Sequence, residues 1–482
     1  RTVCYFIKRE GLTMLPALTS GHIAGIVVTL CAVTVVGIYA GRMVKSALDF
    51  SVGGRRAGAT VVAGTIMGTL VGGSSTIGTA QLAFQYGLCA WWFTLGAGLA
   101  CAVLALGLAR RLHESALETA PQYLVSIYGE RIGPIASVFS SAGIYLNIIA
   151  QGLSAVALLT SIFRISPVTA ALIGVCLVLA YVFFGGVWGT GLVGVAKLGL
   201  LYLATLACGV LAYQMIGGWP GLRESFPAYP WFSLFGRGVQ VDLAAGFSLL
   251  VGVLSTQTYI QAVYSARSLS KARTGALLSA FLIPPVGIGG ILVGLFMRSS
   301  FPGTPSQQVL PVFVMNYLPP FLAGVVLATL LVAVIGTWAG LTLGVSTMLT
   351  KDIYKRFIRS GAGSREILTV QRLLILLVSG SSVFFVAGNL KSLILGWSFL
   401  SMGLRGCTTL FPLLGAMFFP RAVSPLAGTM AALAGPAANL AWHFLYPEGI
   451  DPLYPGLLAS LLTLVLFSLI SRRRVPVKSN TR

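Results

Sequence analysis

Thirteen apolar stretches fill this chain of 482 residues, and two of them are interrupted near their centres by polar or glycine-rich sequence. The interruptions are Gly72–Ser75, within the stretch 59–87, and Ser255–Thr258, within the stretch 241–266. Lipid offers no hydrogen-bond partners, so irregular backbone at membrane depth persists only where protein or a cavity surrounds it. Two interrupted helices in corresponding positions are typical of the binding site of a transporter.

The composition is that of a membrane protein. Hydrophobic residues make up 56% of the chain and charged residues only 9%, whereas a soluble domain has about 25% charged residues. Each apolar stretch is long enough to cross a hydrocarbon core of about 30 Å at about 1.5 Å per residue. We therefore predict an all-α polytopic membrane protein with about 13 transmembrane helices, at 20–41, 59–87, 88–109, 132–163, 166–184, 187–214, 241–266, 273–297, 320–349, 367–388, 392–419, 422–445 and 453–471.

The net charge of +21 would suit a nucleic-acid-binding protein, but the distribution of the charge indicates a lipid bilayer instead. With the N-terminus outside, 22 of the 32 Lys and Arg residues fall in inner loops and the C-terminal tail, and eight fall outside. An excess of basic residues on the cytoplasmic side sets the orientation of membrane proteins. We expect a multi-pass protein of the cell (inner) membrane, with an external N-terminus, a cytoplasmic C-terminus and no nucleic-acid partner.

The polar ends of the chain predict three parts: an external segment, one transmembrane domain and a tail. Residues 1–19 are predicted to form an external segment, in which residues 1–13 precede Met14 and lie outside the native chain if translation starts there. Residues 20–471 form a single transmembrane domain, and residues 472–482 form a basic cytoplasmic tail. The polar stretches between spans are too short for an attached enzymatic or receptor domain.

Several short segments share their spacing with one family of membrane proteins. They include a basic glycine-rich segment before the second span, a Gly-Gly turn, two glutamines after the second interruption and the polar end of the ninth span. In this sequence they are Ser51–Gly58, Gly78 and Gly87, Phe184–Gly186, Gln257 and Gln261, Ala266–Ser268 with Ala272, Leu310-Pro311, Tyr317–Pro319 and Ser346–Lys355. Together they resemble the sodium:solute symporter family over about residues 50–420, and Ser346–Lys355 is the most specific match.

The resemblance implies a leucine-transporter-like fold, an inverted repeat of five plus five helices. The repeats would cover about 59–214 and 241–419, with one extra helix before them and two after. It also implies sodium-coupled symport of a small organic solute, with a carboxylate among the candidates, by alternating access. In the family, sodium lies between backbone carbonyls and a pair of hydroxyls, which carry over here to the carbonyls of Gly68 and Val71 and the hydroxyl of Thr337. The other hydroxyl position is Gly336, so one sodium ligand is missing.

Lys197 lies within the predicted span 187–214. Placing an ionisable side chain inside a span costs at least ~2.5 kcal/mol, so such a residue is functional by default. In the implied fold, this span runs beside the sodium position. The ammonium could therefore replace the missing ion in a proton-coupled or uncoupled transporter, or the side chain could snorkel to the nearby inner surface. Both interpretations remain open from the sequence.

Arg405 is the second cation inside a predicted span. Its planar guanidinium suits a carboxylate, and the alternative is that it caps backbone carbonyls at a helix irregularity beside Gly403 and Gly406. Polar residues near the interruptions complete the candidate solute site, although hydrogen bonds between helices explain them equally well. They are Ser74, Ser75, Asn147, Gln151, Thr256, Gln257 and Tyr259.

Nothing in the sequence predicts an enzyme. It contains no phosphate-binding loop, no paired carboxylates in a span, no histidine cluster and no Ser-His-Asp set. The cysteines show no metal-binding spacing, so we expect no cofactor apart from a coupling sodium ion. A solute sensor that does not transport is a third possibility, which the absence of an output module in the tail disfavours.

Overall fold

The computed structural model describes residues 17–41, 55–115, 117, 119–447 and 449–472. Within two helices it describes the backbone of 183–193 and of residues near 40 without their side chains. The predicted external segment up to residue 16 and the predicted tail from residue 473 lie outside the described residues, as does the start of the basic segment at 51–54. The domain boundaries proposed from the sequence therefore stay predictions.

Helices make up most of the described chain. In the first half, α-helices are separated by a π-helix at Ser74–Gly78, a 3-10 helix at Gly87–Trp91 and a second π-helix at Leu104–Leu108. The α-helices are α1 (Ser20–Gly41), α2 (Ala59–Leu70), α3 (Thr79–Tyr86), α4 (Trp92–Val103), α5 (Ala109–Ser115), α6 (Ala120–Tyr128), α7 (Ile132–Phe163), α8 (Pro167–Met215), α9 (Gly218–Ser225) and the short α10 (Ala228–Trp231).

The second half is built in the same way. A 3-10 helix covers Ser306–Gln308, and a π-helix covers Leu349–Ile358. The α-helices are α11 (Val239–Ser255), α12 (Gln257–Ser265), α13 (Leu269–Ser300), α14 (Val309–Tyr317), α15 (Pro320–Met348), α16 (Ser364–Gly388), α17 (Ile394–Phe418), α18 (Pro425–Leu445) and α19 (Leu453–Arg472). The predicted all-α membrane fold is confirmed.

The number of spans differs from the prediction. Among the described residues, seven helices are long and apolar enough to cross a membrane, or eight if α11 and α12 form one bent span. Shorter apolar helices at Ser20–Val36, Ala59–Leu70 and Pro167–Val182 account for further predicted spans. The count of thirteen is therefore not established. The break after Leu70 shortens the second predicted span, and the bend between α11 and α12 divides another.

The predicted spans 166–184 and 187–214 both lie in the single helical element α8. Helical structure is continuous over its 49 residues, a length of about 74 Å if straight, more than twice the hydrocarbon core. A Cβ built at Gly336 of α15 would nevertheless lie 3.6 Å from the hydroxyl of Tyr181 and 3.8 Å from the ammonium of Lys197. These residues would be about 24 Å apart along a straight helix, so the element bends back between them.

The two predicted interruptions both appear as breaks. Helix α2 ends at Leu70, and Val71 has an extended backbone before the π-helix that leads into α3. Helix α11 ends at Ser255, Thr256 is extended, and α12 continues at an angle of 47° to α11. A backbone bridge joins Ala57, before α2, to Ala266, after α12. The two broken helices thus meet at one end.

Candidate functional site

The first break depends on two glycines that let neighbouring helices come close. A Cβ at Gly72 would lie 2.5 Å from Thr337 Oγ1 and 2.8 Å from Gln151 Oε1, and a Cβ at Gly73 would lie 2.3 Å from Ser154. Real side chains do not tolerate such distances without movement of their neighbours. Because α2 ends here, carbonyls of its last turn are free to accept bonds from elsewhere.

The ammonium of Lys197 lies at the predicted sodium position. Its Nζ donates hydrogen bonds to the carbonyl of Gly68 at 2.7 Å, the carbonyl of Ala333 at 3.0 Å and the hydroxyl of Thr337 at 3.1 Å. Thr337 Oγ1 in turn lies 3.2 Å from the Gly68 carbonyl and 3.5 Å from the Val71 carbonyl. The structure therefore brings together the three oxygens that the resemblance assigned to sodium, and two of them, on Gly68 and Thr337, bind a cation that belongs to the chain.

Close helix packing brings Lys197 to this position. One turn earlier on α8, Gly194 faces α2, where a Cβ would lie 2.4 Å from the Gly64 carbonyl and 3.3 Å from Gly68 Cα. Lys197 is only 2% exposed, so its side chain does not reach the membrane surface. The snorkelling interpretation is wrong, because the ammonium satisfies its donors inside the bundle. Ala333 gave no sequence signal, since its contribution is a backbone carbonyl.

A polar cluster fills the space next to the first break. Gln151 accepts a hydrogen bond from the backbone N–H of Gly73 at 2.9 Å and donates to the Ser74 hydroxyl at 3.0 Å. Ser398 of α17 bonds to the Ser74 hydroxyl at 2.7 Å and to Asn147 Oδ1 at 3.2 Å. All four side chains are at most 3% exposed. Three of the predicted solute residues therefore meet, closed off from solvent.

Arg405 contacts the second break. Its Nη1 donates to the Thr256 hydroxyl at 2.8 Å, and Nε and Nη2 donate to the Ser401 carbonyl and hydroxyl at 3.0 and 2.8 Å. Nη2 also lies 3.1 Å from the sulfur of Met402. The side chain is 0% exposed, and no carboxylate forms an ion pair with it in the part of the chain that the structure describes. It is a buried positive charge without a described counter-charge.

One polar seam connects the two breaks. It runs along the contact of α7 with α17, and we define it as Asn147, Gln151, Ser398, Ser401 and Arg405. Ser401 donates to the carbonyl of Gly143, one turn before Asn147, at 2.5 Å. A Cβ at Gly143 would lie 2.6 Å from Arg405 Cγ, so this glycine makes room for the arginine. Ser398 and Ser401 were missed in the sequence, although their i, i+3 and i+7 spacing with Arg405 places all three on one helix face.

The remaining predicted residues lie in different surroundings. Ser75 donates to the Gly72 carbonyl at 3.0 Å, a local bond within the break. Gln257 Oε1 accepts from the backbone N–H of Ala120, at the start of α6, at 2.8 Å. Tyr259 is 0% exposed, and its hydroxyl has no hydrogen-bond partner among the described residues. The roles of all three in solute binding stay predictions.

A separate cavity of about 450 Å³ lies on the other side of α17. Its lining includes Arg237, Phe399, Gly403, Asn439 and Asp451. Gly403 and Arg405 are two residues apart and therefore lie about 200° apart around the helix. The cavity is thus distinct from the polar seam, and Arg237 is already paired with Asp242 at 2.6 Å.

Two broken helices around a buried polar seam, with a cation position between the first break and two neighbouring helices, define a secondary membrane transporter. A family model for the sodium:solute symporter family matches residues 50–435, most of the chain. The chain belongs to this family. It is a multi-pass membrane transporter of the sodium-coupled symporter class, for a small solute.

Individual relatives agree with the family. The chain is 26% identical to the high-affinity choline transporter 1 of Caenorhabditis elegans, over 88% of this chain and 78% of that protein. It is 25% identical to the sodium/proline symporter of Haemophilus influenzae, over 91% and 92%. The structure of a Na+-coupled sialic acid symporter superposes with a TM-score of 0.76 at 17% identity, covering 94% of this chain and 98% of that one. This last similarity supports the predicted fold.

Proposed function

We propose that this transporter carries a small organic anion, a carboxylate in the simplest case, by alternating access and with sodium as the coupling ion. The observation that supports the anion is Arg405, a guanidinium that is 0% exposed and has no carboxylate partner among the described residues. A buried charge is costly unless it is paired. An anionic solute at the second break would supply the missing counter-charge.

The hydrogen-bond inventory of Arg405 leaves room for that solute. A guanidinium has five N–H groups, and four contacts to Thr256, Ser401 and Met402 are described. One N–H on Nη1 is therefore left, and the Met402 thioether is a weak acceptor that a carboxylate oxygen would improve on. The Tyr259 hydroxyl, buried without a described partner, is a further donor in the same region.

Coupling to the ion follows from the position of Gly72. This residue lies between Thr337, at the cation position, and Gln151, at the end of the polar seam. A cation that binds the Gly68 and Val71 carbonyls and a solute that binds the seam would thus act on the same break. We propose Gly68, Val71 and Thr337 as the sodium ligands and the seam with Ser74 as the solute site.

The experiment is uptake into proteoliposomes, with sodium and pH gradients imposed separately. Candidate solutes come from thermal shifts of the purified protein with a library that pairs each carboxylate with its neutral amide. We expect stabilisation and uptake for a carboxylate and neither for its amide. Equal uptake of the amide would contradict the anion assignment, and binding without uptake in any gradient would indicate a sensor.

A second candidate function is transport that does not use sodium at this position. Lys197 donates two of its three hydrogen bonds to proposed sodium ligands, the Gly68 carbonyl and the Thr337 hydroxyl. This favours the second candidate, because the position already holds a positive charge. In the same proteoliposomes, this candidate predicts uptake that is equal with sodium or potassium outside. Uptake driven by an inward sodium gradient supports the first candidate.

The membrane and orientation are also part of the proposal. The ratio of 22 inner to eight outer basic residues supports an external N-terminus and a cytoplasmic C-terminus in the cell (inner) membrane. A reporter fused after Arg474 should read cytoplasmic, and one inserted near Pro230 should read external. Opposite readings at both positions would overturn the orientation. The proposed activity is transport alone, with no chemical change of the solute.

A further inference from the structure

The cation position of this chain has two departures from the family pattern, and the structure places them side by side. One hydroxyl ligand is replaced by Gly336, and Lys197 stands on the neighbouring helix. A Cβ at position 336 would lie 3.8 Å from Lys197 Nζ. A serine hydroxyl there would project a further bond length into the space around the ammonium. The loss of a sodium ligand and the gain of a fixed cation are therefore complementary changes at one point.

The ammonium is completely bound at this position. Its three N–H groups have three acceptors at 2.7 to 3.1 Å, two of them backbone carbonyls that cannot rotate away. The Gly68 carbonyl and the Thr337 hydroxyl are also the proposed sodium ligands. A sodium ion on the same oxygens would lie within van der Waals contact of the ammonium. Like charges at such a distance repel strongly, so the two cations exclude each other.

We propose that Lys197 is a tethered competitor of sodium. Its ammonium occupies the ion position in the sodium-free protein, and sodium binds there only after the ammonium has left. The concentration of sodium that half-saturates this position is consequently set by Lys197. The proposal rests on the proposed function only for the identity of the ion.

The test measures sodium binding alone, without solute, through thermal stability of the purified full chain. Sodium chloride replaces potassium chloride at constant ionic strength, in the wild type and in Lys197→Met, which keeps the length of the side chain and removes its charge. We expect the half-saturating sodium concentration to fall at least tenfold in Lys197→Met. Lys391→Met, at an exposed position outside the site, is the matched control and should behave as the wild type.

A second substitution locates the ion. The double variant Lys197→Met with Thr337→Val should lose the tighter sodium binding of Lys197→Met, because Thr337 supplies the hydroxyl ligand. Equal sodium midpoints in the wild type and Lys197→Met would overturn the proposal, as would tighter sodium binding that survives the loss of Thr337. These results are independent of the solute, so they stand apart from any failure of the anion assignment.

If Lys197→Met does not fold, sodium binding to the wild type still tests whether Lys197 competes with the ion. Radioactive sodium binding is then measured in the wild type and in Thr337→Val. If Lys197 competes, the wild type binds sodium only weakly, and Thr337→Val, which removes an oxygen shared by the ammonium and the ion, weakens that binding further. Tight wild-type binding that Thr337→Val abolishes would mean that sodium already holds the position, which overturns the proposal.

Discussion

Lys197 and Arg405 are both buried cations beside a broken helix, but they are held in different ways. Lys197 uses all three donors, two of them on the backbone carbonyls of Gly68 and Ala333. Arg405 has one N–H left, and its acceptors include the side chains of Thr256 and Met402, together with the carbonyl and hydroxyl of Ser401. The first cation is saturated, and the second is not.

The difference suggests what each cation does. Backbone carbonyls move only when a helix moves, so the hydrogen bonds of Lys197 depend on how α2, α8 and α15 are arranged. Hydroxyl and thioether groups can rotate, so the surroundings of Arg405 can accommodate a ligand without a change of fold. We therefore connect Lys197 with the ion and the conformational state, and Arg405 with the solute.

The largest effect is expected at Arg405. Arg405→Gln removes the charge that would bind the solute, and truncating one partner of a buried charge pair costs roughly 2–5 kcal/mol, so kcat/KM for uptake should fall about 30-fold or more. Arg405→Lys should also lose affinity, because a point charge cannot reproduce the planar fork. Arg421→Gln, at an exposed loop position, is the control. Normal uptake by Arg405→Gln would show that this residue is not part of the solute site. The contrast between an ion-linked Lys197 and a solute-linked Arg405 would then no longer hold.

Alanine substitutions of the two glycines that make room for the cations should destabilise the protein unequally. Gly194→Ala places a methyl group 2.4 Å from a backbone oxygen, that of Gly64, which cannot yield without moving a helix. Gly143→Ala places one 2.6 Å from the Cγ of Arg405, a side chain that can shift. Overpacking costs about 1–3 kcal/mol, and we expect Gly194→Ala at the upper end by thermal unfolding.

Gly199→Ala is the matched control for this pair, since a Cβ there meets nothing within 4 Å. Equal losses in Gly194→Ala and Gly143→Ala would show that the Arg405 region is as rigid as the Lys197 region. The distinction between a saturated and an adaptable cation would then no longer hold.

The sequence predicted the positions of the breaks and the two cations, because glycine, polar residues and ionisable residues inside apolar stretches are local signals. It left the role of Lys197 open, since the contact of Gly194 with Gly64 and the carbonyl of Ala333 exist only after folding. Gln257 illustrates the converse. Its place at the break predicts a solute contact, which stays a prediction, whereas the hydrogen bond of its amide oxygen to the backbone of Ala120 had no signal in the sequence.

The two threonine hydroxyls offer a more subtle comparison. Thr337→Val leaves one N–H of a saturated ammonium without an acceptor, which costs about 1–3 kcal/mol when the group is buried. Thr256→Val should cost less, because Arg405 keeps Ser401 and Met402 and can reorient. Thermal unfolding of the two variants in sodium-free buffer measures the difference. A greater loss in Thr256→Val would reverse the assignment of which cation is held more rigidly.

The smallest effect is expected at Ser398, where the seam meets the first break. Ser398→Ala removes hydrogen bonds to Ser74 and Asn147, each worth about 0.5–1.5 kcal/mol net, but Gln151 can still bond to both partners. We expect a modest loss of stability and a change in the apparent KM for solute, with the sodium midpoint unchanged. Ser166→Ala, in an exposed hydrogen bond at the start of α8, is a control for stability alone. A shift of the sodium midpoint in Ser398→Ala would mean that the seam and the Lys197 position act as one site, since Gly72 lies against both Thr337 and Gln151.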